Sequence, residues 1–331
     1  MLLAIQFALC TGLIVFSGVR LSRYGDAIAE MTGMGRTWVG VVLMAAATSL
    51  PELATGVSSV AVYNLPNIAA GDVLGSCVVN LVILAFLDFG RTASPISAVA
   101  HQGQVISGAF GIMLLVVACL GILTPMSIPS VGWFGLTAAA SLLIYAVAMK
   151  LVFTYEKNRI AEYLEERAEQ PGKTYEPRSV YKNFAMHAAV VMASATYLPL
   201  VAAQIAEATG LGTTYVGSIF VAVTTSLPEV VVTREALKLG AVDLAVGNVL
   251  GSNLFNMAIL AVDDVFYFRG PILAQISPAH ALTAQAAIMM TAIVIVSLIY
   301  RSRRRVFYFP WSSLGIIGLY GIFLALLYRA H

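Results

Sequence analysis

Charged side chains are scarce in this sequence. Of its 331 residues only 11% are charged, whereas 59% are hydrophobic. About a quarter of the residues of an average soluble domain are charged. A soluble protein of this size has too much surface to leave so little of it charged, so a soluble globular enzyme is excluded. The net charge of +2 gives no basis for nucleic-acid binding.

Cysteine is also scarce. Cys10, Cys77 and Cys119 are scattered through apolar runs, without the spacing of a disulfide framework or of a metal site. They are expected to be small buried hydrophobic residues. The apolar run at residues 2–19 lacks a basic n-region and a cleavage site, so it is predicted to be a membrane span and not a signal peptide.

Long apolar runs are what the sequence has in abundance. They are continuous and not alternating, which argues against a transmembrane β-barrel. Since a helical span needs about 20 apolar residues, the runs predict ten membrane helices. These lie at 2–19, 37–62, 67–89, 104–123, 131–152, 184–206, 214–237, 243–267, 280–300 and 312–329.

Basic residues predict the orientation of these spans. If both termini lie outside, seventeen of the nineteen Lys and Arg residues fall at inner ends, and only Arg269 and Arg329 do not. The polar segment 154–183 is then a short cytoplasmic linker. We expect a multi-pass protein of the plasma (inner) membrane of a prokaryote-like cell.

An internal repeat predicts the architecture. Residues 33–52 match residues 210–229 at 11 of 20 positions, and residues 71–80 match 247–256 at 6 of 10. Each copy has five predicted spans, and an odd number of spans inverts the second copy in the membrane. The predicted fold is therefore an all-α polytopic protein of ten helices in two inverted five-helix repeats, 1–153 and 184–331.

Two carboxylates lie at the predicted centres of spans. Glu52 and Glu229 each end a Thr-Ser-Leu-Pro-Glu motif, with no basic residue nearby in the sequence. A charge at the centre of a span costs about 2.5–3.5 kcal/mol, so a bound cation or protons are the expected compensation. A plain proline kink beside a stray Glu is the alternative for one copy, but the two matched copies make it less plausible.

Further oxygen ligands are predicted around these carboxylates. Pro51 and Pro228 free backbone carbonyls one turn earlier, and Asp72, Ser76 and Asn80 share one face of the third span. Their counterparts in the eighth span are Asn248, Ser252 and Asn256. Carbonyl, hydroxyl and carboxylate oxygens suit Ca²⁺, Na⁺ or Mg²⁺. The neighbouring glycines, Gly71, Gly75, Gly247 and Gly251, are expected to allow close helix packing.

With its T-S-x-P-E and G-N-x-x-G-S-N-x-x-N/D motifs, the sequence resembles the cation/Ca²⁺ exchanger superfamily, in its sodium/calcium exchanger branch, over most of the chain. The resemblance implies that the first and sixth spans slide against the other eight. It also implies a set of ion ligands, comprising central Ca²⁺ carboxylates, amide ligands, Na⁺-site hydroxyls and residues that offer carbonyls. These are Glu52, Glu229, Asn80, Asn256, Ser49, Ser226, Ser76, Ser252, Thr48 and Thr225.

Some positions depart from the family pattern. Asp72 stands in place of Asn, Cys77 in place of Asn, and position 256 is Asn where some members have Asp. The core then carries two formal negative charges and not three, which puts a stoichiometry of three Na⁺ in doubt. Our hypothesis is that Asp72 replaces some of the lost charge and is a further ligand.

The expected function is secondary active exchange of Ca²⁺ for Na⁺ by alternating access. The alternatives are coupling of Ca²⁺ or another divalent cation to H⁺, since a carboxyl group removed from water takes up a proton more readily, and, less favoured, a cation channel. The sequence shows no pair of nucleophile and base that would indicate an enzyme, and no prosthetic group is expected. The expected partners are Ca²⁺, Na⁺ or H⁺ and the lipid bilayer, and a monomer is expected.

Asp88 and Asp264 are a further matched pair, each eight residues after its Asn. They are either ordinary interfacial acids or groups that attract cations to the two ends of the transport pathway.

Overall fold

Helices account for almost all of the described chain. The computed structural model describes residues 2–31, 47–89, 94–125, 129–168, 176–238, 240–301, 305–306 and 309–330. Much of the predicted second span, 37–62, falls outside these ranges, as does most of the first repeat motif, 33–52.

The first half of the chain forms long helices and one small hairpin. In chain order these elements are α1 (Leu2–Met31), α2 (Leu50–Ala61), α3 (Pro66–Phe89), α4 (Ile96–Val99), α5 (Gln104–Leu123), β1 (Ser130–Val131), β2 (Phe134–Gly135) and α6 (Leu136–Ala168). Helix α6 begins five residues after the predicted start of its span, because the antiparallel pair β1 and β2 precedes it.

The second half repeats this order of elements. It contains α7 (Pro177–Thr209), α8 (Thr213–Val216), a π-helical stretch (Gly217–Val221), α9 (Ala222–Thr225), α10 (Leu227–Lys238), α11 (Val242–Phe266), α12 (Ile272–Gln275), α13 (His280–Tyr300), β3 (Arg305–Val306), β4 (Phe309–Pro310) and α14 (Trp311–Arg329). A short helix, a long helix, a two-residue hairpin and another long helix follow α11 as they follow α3. The structural repeat therefore extends well beyond the two matched sequence blocks.

Several of these helices can cross a membrane. Within the described residues, seven are long and apolar enough, and the count rises to eight if the pair Thr213–Thr225 and Leu227–Lys238, which is bent by 44°, is one span. The apolar part of α6, Leu136–Val152, is shorter than this length. The predicted count of ten spans therefore stays a prediction.

Helices α3 and α11 form the centre of the protein. Of their most apolar stretches, 89% and 72% are buried, compared with 22% for α1. A large apolar cluster surrounds them and includes Leu74, Leu81 and Leu254. Helix α1 packs mainly on α7, and a separate apolar cluster that includes Ile14 and Leu198 joins these two helices.

Glycine allows one close crossing at this centre. A Cβ atom on Gly71 would lie 2.8 Å from the backbone nitrogen of Ser218, so only glycine fits where α3 crosses the π-helical stretch. Gly75 contacts the same stretch. At the matching positions in α11, Gly247 lies against Gln104, and no described atom lies within 4 Å of a Cβ on Gly251. The predicted role of the glycines in helix packing therefore holds for α3.

Candidate ion-binding site

Breaks in two helices position the central acids. Ser49 (φ −91°, ψ 13°) and Ser226 (φ −84°, ψ 2°) leave the helical conformation, and new helices, α2 and α10, begin one residue later. Pro51 and Pro228 take the second position of these helices, where the missing N–H is tolerated. Because proline donates no hydrogen bond, the carbonyl groups four residues before it lose their helical partner.

The breaks place Glu52 and Glu229 in the first turns of α2 and α10. The amino-terminal end of a helix carries a partial positive charge, which stabilises a carboxylate by about 0.3–1 kcal/mol and by up to about 2 kcal/mol where it is partly buried. This stabilisation offsets only part of the cost of burying the two groups.

Every residue of the predicted ligand set is buried, with at most 1% of its surface exposed. The set comprises Thr48, Ser49, Glu52, Asp72, Ser76, Asn80, Thr225, Ser226, Glu229, Ser252 and Asn256.

Each glutamate faces the broken helix of the other half. The hydroxyl group of Ser226 donates a hydrogen bond of 3.3 Å to Oε1 of Glu52. In the matching arrangement, Glu229 lies beside Thr48 and Ser49, although neither of its carboxylate oxygens is within hydrogen-bonding distance of a described partner. The two halves therefore form one site jointly.

Asp72 joins this site through the other motif residues. Thr225 donates a hydrogen bond of 2.7 Å from its hydroxyl group to Oδ1 of Asp72. The hydroxyl groups of Ser76 and Thr225 lie 3.4 Å apart. The structure therefore places Asp72 within reach of the groups that also surround Glu52, as the hypothesis on Asp72 requires.

Sequence reasoning missed Asn253, which joins α3 to α11. Its Oδ1 accepts a hydrogen bond of 3.0 Å from Nδ2 of Asn80, and its own Nδ2 donates one of 3.0 Å to the carbonyl oxygen of Cys77. Cys77 and Asn253 occupy equivalent positions in the two halves, 176 residues apart. The departure from the motif at Cys77 was the available signal, because it makes Asn253 the single amide at a paired position.

Several polar atoms of the site have no hydrogen-bond partner among the described residues. They are Oε2 of Glu52, both carboxylate oxygens of Glu229, Oδ2 of Asp72, Oδ1 of Asn80, both amide atoms of Asn256, and the hydroxyl groups of Ser49 and Ser252. Buried polar atoms usually have partners. Such a concentration of unpaired oxygens indicates that something else binds there.

No basic side chain among the described residues supplies the missing partners. The ion pairs recorded for the described residues lie at the exposed Glu235, with Arg234 and Lys238. Also within the described residues, no group of three or more His, Cys, Asp and Glu side chains is placed to hold a metal ion. A cation at this site would therefore take hydroxyl, amide and carbonyl oxygens in addition to carboxylates, as Ca²⁺ and Na⁺ do.

Asp88 and Asp264, one in each half of the chain, accept hydrogen bonds from backbone N–H groups. Oδ1 of Asp264 accepts the N–H of Ile272 at 2.6 Å and Oδ2 accepts the N–H of Gly135 at 2.7 Å. Oδ1 of Asp88 likewise accepts the N–H of Ile96 at 2.7 Å. Both acids are buried. They cap α4 and α12 from buried positions, which favours a structural role over the attraction of ions.

Comparison with known proteins identifies the sequence family. The profile described as "Sodium/calcium exchanger protein" matches residues 2–154 and 182–329. The chain is 24% identical over 327 residues to "Inner membrane protein YrbG" of Escherichia coli (strain K12), covering 96% of this chain and 94% of that protein.

Solved structures have the same fold. A structure of the sodium-calcium exchanger NCX_Mj matches with a TM-score of 0.61 at 19% identity, covering 98% of both chains. A crystal structure of the H⁺/Ca²⁺ exchanger CAX matches with a TM-score of 0.68 at 12% identity, covering 99% of this chain and 86% of that one.

Proposed function

Since this chain belongs to the sodium/calcium exchanger protein family, we propose that it is an antiporter that exchanges Ca²⁺ for Na⁺ at the buried site of Glu52 and Glu229. The family exchanges Ca²⁺ for Na⁺ or H⁺, and the chain is a multi-pass integral membrane protein with several apolar spans. Calcium and its counter-ion are transported ions in this proposal, and no prosthetic group is required.

The observation that carries the proposal is the arrangement of the two glutamates. Each is 99% buried, lies beside the Thr-Ser pair of the opposite half, and has unpaired carboxylate oxygens among the described residues. A buried carboxylate without a cation is strongly disfavoured. One Ca²⁺ neutralises two carboxylates, and Na⁺ ions at the flanking hydroxyl and carbonyl oxygens would do the same.

Shared ligands explain why exchange would be obligatory. If Na⁺ and Ca²⁺ both require Glu52 and Glu229, they cannot occupy the site together. The site then changes its access from one side of the membrane to the other only when Ca²⁺ or Na⁺ is bound, because the empty site would carry two unpaired buried charges. Ser49, Ser226, Ser76, Ser252, Thr48 and Thr225 are the proposed Na⁺ ligands that compete with the Ca²⁺ site of Asn80 and Asn256.

Alternating access is proposed to use α1 and α7. These helices pack mainly on each other, and their apolar cluster, which reaches α3 at Ile68, is distinct from the larger cluster around α3 and α11. Pro228, in the first turn of α10, also lies close to Gly18 of α1: a Cβ on Gly18 would be 2.7 Å from its Cγ. Movement of α1 would therefore directly displace the start of α10, which positions Glu229.

We also propose the architecture and orientation that the sequence predicts. Ten helices form two inverted repeats, both termini lie outside and residues 154–183 lie in the cytoplasm. The repeated order of elements around α3 and α11 and the reciprocal contacts of the two Thr-Ser-Leu-Pro-Glu motifs support the inverted pair.

H⁺ coupling is the second candidate. The likeness to the H⁺/Ca²⁺ exchanger CAX and the amides at Asn80 and Asn256, which leave two central acids, favour it. Calcium efflux from loaded liposomes that contain the purified protein distinguishes Na⁺ coupling from H⁺ coupling. Efflux that external Na⁺ drives supports the proposal, whereas efflux that only a proton gradient drives supports the second candidate. Efflux without any counter-ion indicates a channel.

A further inference from the structure

Asp263 is a buried acid that plays no part in the site described so far. It lies near the carboxyl-terminal end of α11 with 0% of its surface exposed. Neither of its carboxylate oxygens has a hydrogen-bond partner among the described residues. Its neighbour in the chain, Asp264, has two backbone N–H partners. Helix capping therefore explains Asp264 and does not explain Asp263.

The carboxyl group of Asp263 fits against the backbone of α2. A Cβ atom on Gly56 would lie 2.5 Å from Oδ2 and 2.9 Å from Cγ of Asp263. Glycine at this position therefore makes the room that the carboxyl group fills. Gly56 is one helical turn beyond Glu52, on the same face of α2. The carboxyl group of Asp263 therefore lies against the same face of α2 that carries Glu52.

The other half of the chain has a neutral version of this arrangement. At the repeat offset of 176–177 residues, Asp72, Gly56 and Asp263 correspond to Asn248, Thr233 and Leu87. There the amide Nδ2 of Asn248 donates a hydrogen bond of 3.1 Å to the hydroxyl group of Thr233, and no acid is present at position 87. Asp72 and Asp263 are acids whose counterparts in the other half, Asn248 and Leu87, are neutral. Both therefore belong to the same end of the site.

Charges connect Asp263 to the central site through Asp72. The carboxyl group of Asp72 is close enough to those of both Glu52 and Asp263 for their charges to interact. Among the described residues, the other charged group beside Asp263 is the acid Asp264 on the same helix. Helices α5 and α12 have no charged residue, and the bases of the other helices packed on α11 whose side chains the structure describes, namely Lys150, Arg234 and Lys238, are exposed.

We propose that Asp263 is a proton-binding site whose charge controls the cation affinity of Asp72 and Glu52. This inference rests on the proposed function. A proton is the ligand that this position can accommodate, because it needs one oxygen, whereas Ca²⁺ needs six to eight and the described residues offer Asp263 no further polar partner. Uptake of the proton forms one O–H bond and removes one negative charge, and its release to water restores that charge.

The sign of the effect follows from the charge. At high pH the ionised Asp263 adds a negative charge to the group of acids and strengthens cation binding. At low pH the neutral carboxyl group weakens cation binding. At an effective dielectric constant of about 20, a unit charge roughly 10 Å away changes the affinity for a monovalent cation by about tenfold.

The test compares half-saturating concentrations of Ca²⁺ and of Na⁺ for exchange in liposomes, between about pH 6 and about pH 8. Wild-type protein is expected to lose about tenfold in affinity for Na⁺ and about a hundredfold in affinity for Ca²⁺ at the lower pH. Asp263→Asn, and Asp263→Leu, which copies Leu87, are expected to show little of this pH dependence while still exchanging Ca²⁺. Glu207→Gln, at an exposed position, is the control and is expected to behave as wild type.

Infrared difference spectra of the purified protein supply a second readout that needs no transport. Acidification is expected to produce the C=O band of a protonated carboxyl group without hydrogen bonds, and Asp263→Asn is expected to lack it. Unchanged pH dependence in Asp263→Asn, or an unchanged band, overturns the inference and leaves the exchange function intact. Failure of the proposed function shows differently, as a lack of counter-ion-driven Ca²⁺ flux in the wild type.

Discussion

The hydroxyl group of Ser226 donates a hydrogen bond of 3.3 Å to the carboxylate of Glu52, across 174 residues of sequence. The donor lies at the break between α9 and α10, and the acceptor lies one turn beyond the break before α2. Since Glu229 lies beside Thr48 and Ser49 in the same way, neither half of the chain forms the site alone. The predictions below follow from this reciprocal arrangement.

Replacement of a central glutamate is expected to remove exchange without unfolding the protein. Glu52→Gln and Glu229→Gln keep the side-chain volume but delete the charge that holds the cation, so the affinity for Ca²⁺ falls by about a hundredfold or more. Calcium flux in liposomes and size-exclusion profiles measure the two effects. Glu207→Gln, at an exposed position, is the control. A Glu52→Gln variant that exchanges at the wild-type rate would contradict the assignment.

Loss of the hydroxyl group at Ser226 is expected to have a smaller effect. A hydrogen bond to a charged group contributes about 1.5–3 kcal/mol, so Ser226→Ala weakens ion binding by about tenfold or more. Ser313→Ala is the matched control, because Ser313 also donates to a buried carboxylate, that of Asp88, at 3.0 Å. Half-saturation measurements for Na⁺ and Ca²⁺ should change in the first variant only. Equal changes in both variants would argue against a role of Ser226 in ion binding.

Asn253 is expected to be important for stability. Asn253→Ala leaves the amide Nδ2 of Asn80 without its partner and removes the side-chain hydrogen bond to the carbonyl oxygen of Cys77 at the crossing of α3 and α11. Each unsatisfied buried group costs about 1–3 kcal/mol. Thermal unfolding in detergent should occur at a clearly lower temperature than for the wild type. Asn248→Ala, at a partly exposed position, is the control. An unchanged unfolding temperature for Asn253→Ala would contradict this role.

Asp264 is expected to affect stability and not ion affinity. Its two carboxylate oxygens accept the N–H groups of Ile272 and Gly135, and Asp264→Asn would lose one of these bonds, which costs about 1–3 kcal/mol. Asp88→Asn should behave in the same way. Unfolding temperatures and half-saturating Ca²⁺ concentrations separate the two effects. A variant of normal stability with weakened Ca²⁺ binding would restore the idea that these acids attract ions.

The repeated part of the sequence pointed to the central residues of the candidate site, and their role as ion ligands stays a prediction. The two Thr-Ser-Leu-Pro-Glu motifs pointed to Glu52 and Glu229 because a charge inside a span needs a specific reason, and the structure buries both at matched helix breaks. Asp72 was noticed because it departs from the motif. The positions of the helices also followed from the apolar runs, since a span must satisfy its backbone internally.

Other features could not be derived from the sequence. Asp263 lies next to Asp264 at the end of an apolar run, where acids are common, and only the packing of its carboxyl group against Gly56 distinguishes it. The capping roles of Asp88 and Asp264 depend on contacts with distant segments such as Gly135. Single positions without a repeat or a local pattern carry no such signal.

The central claim is that Ca²⁺ and Na⁺ compete for the same two buried carboxylates. Equilibrium binding of Ca²⁺ to the purified protein, measured with and without Na⁺, tests it most directly. We predict that Ca²⁺ binds the wild type, that Na⁺ weakens this binding competitively, and that Glu52→Gln and Glu229→Gln each weaken it by about a hundredfold or more. Calcium binding that Na⁺ leaves unchanged, or that keeps its wild-type affinity in both variants, would contradict the account.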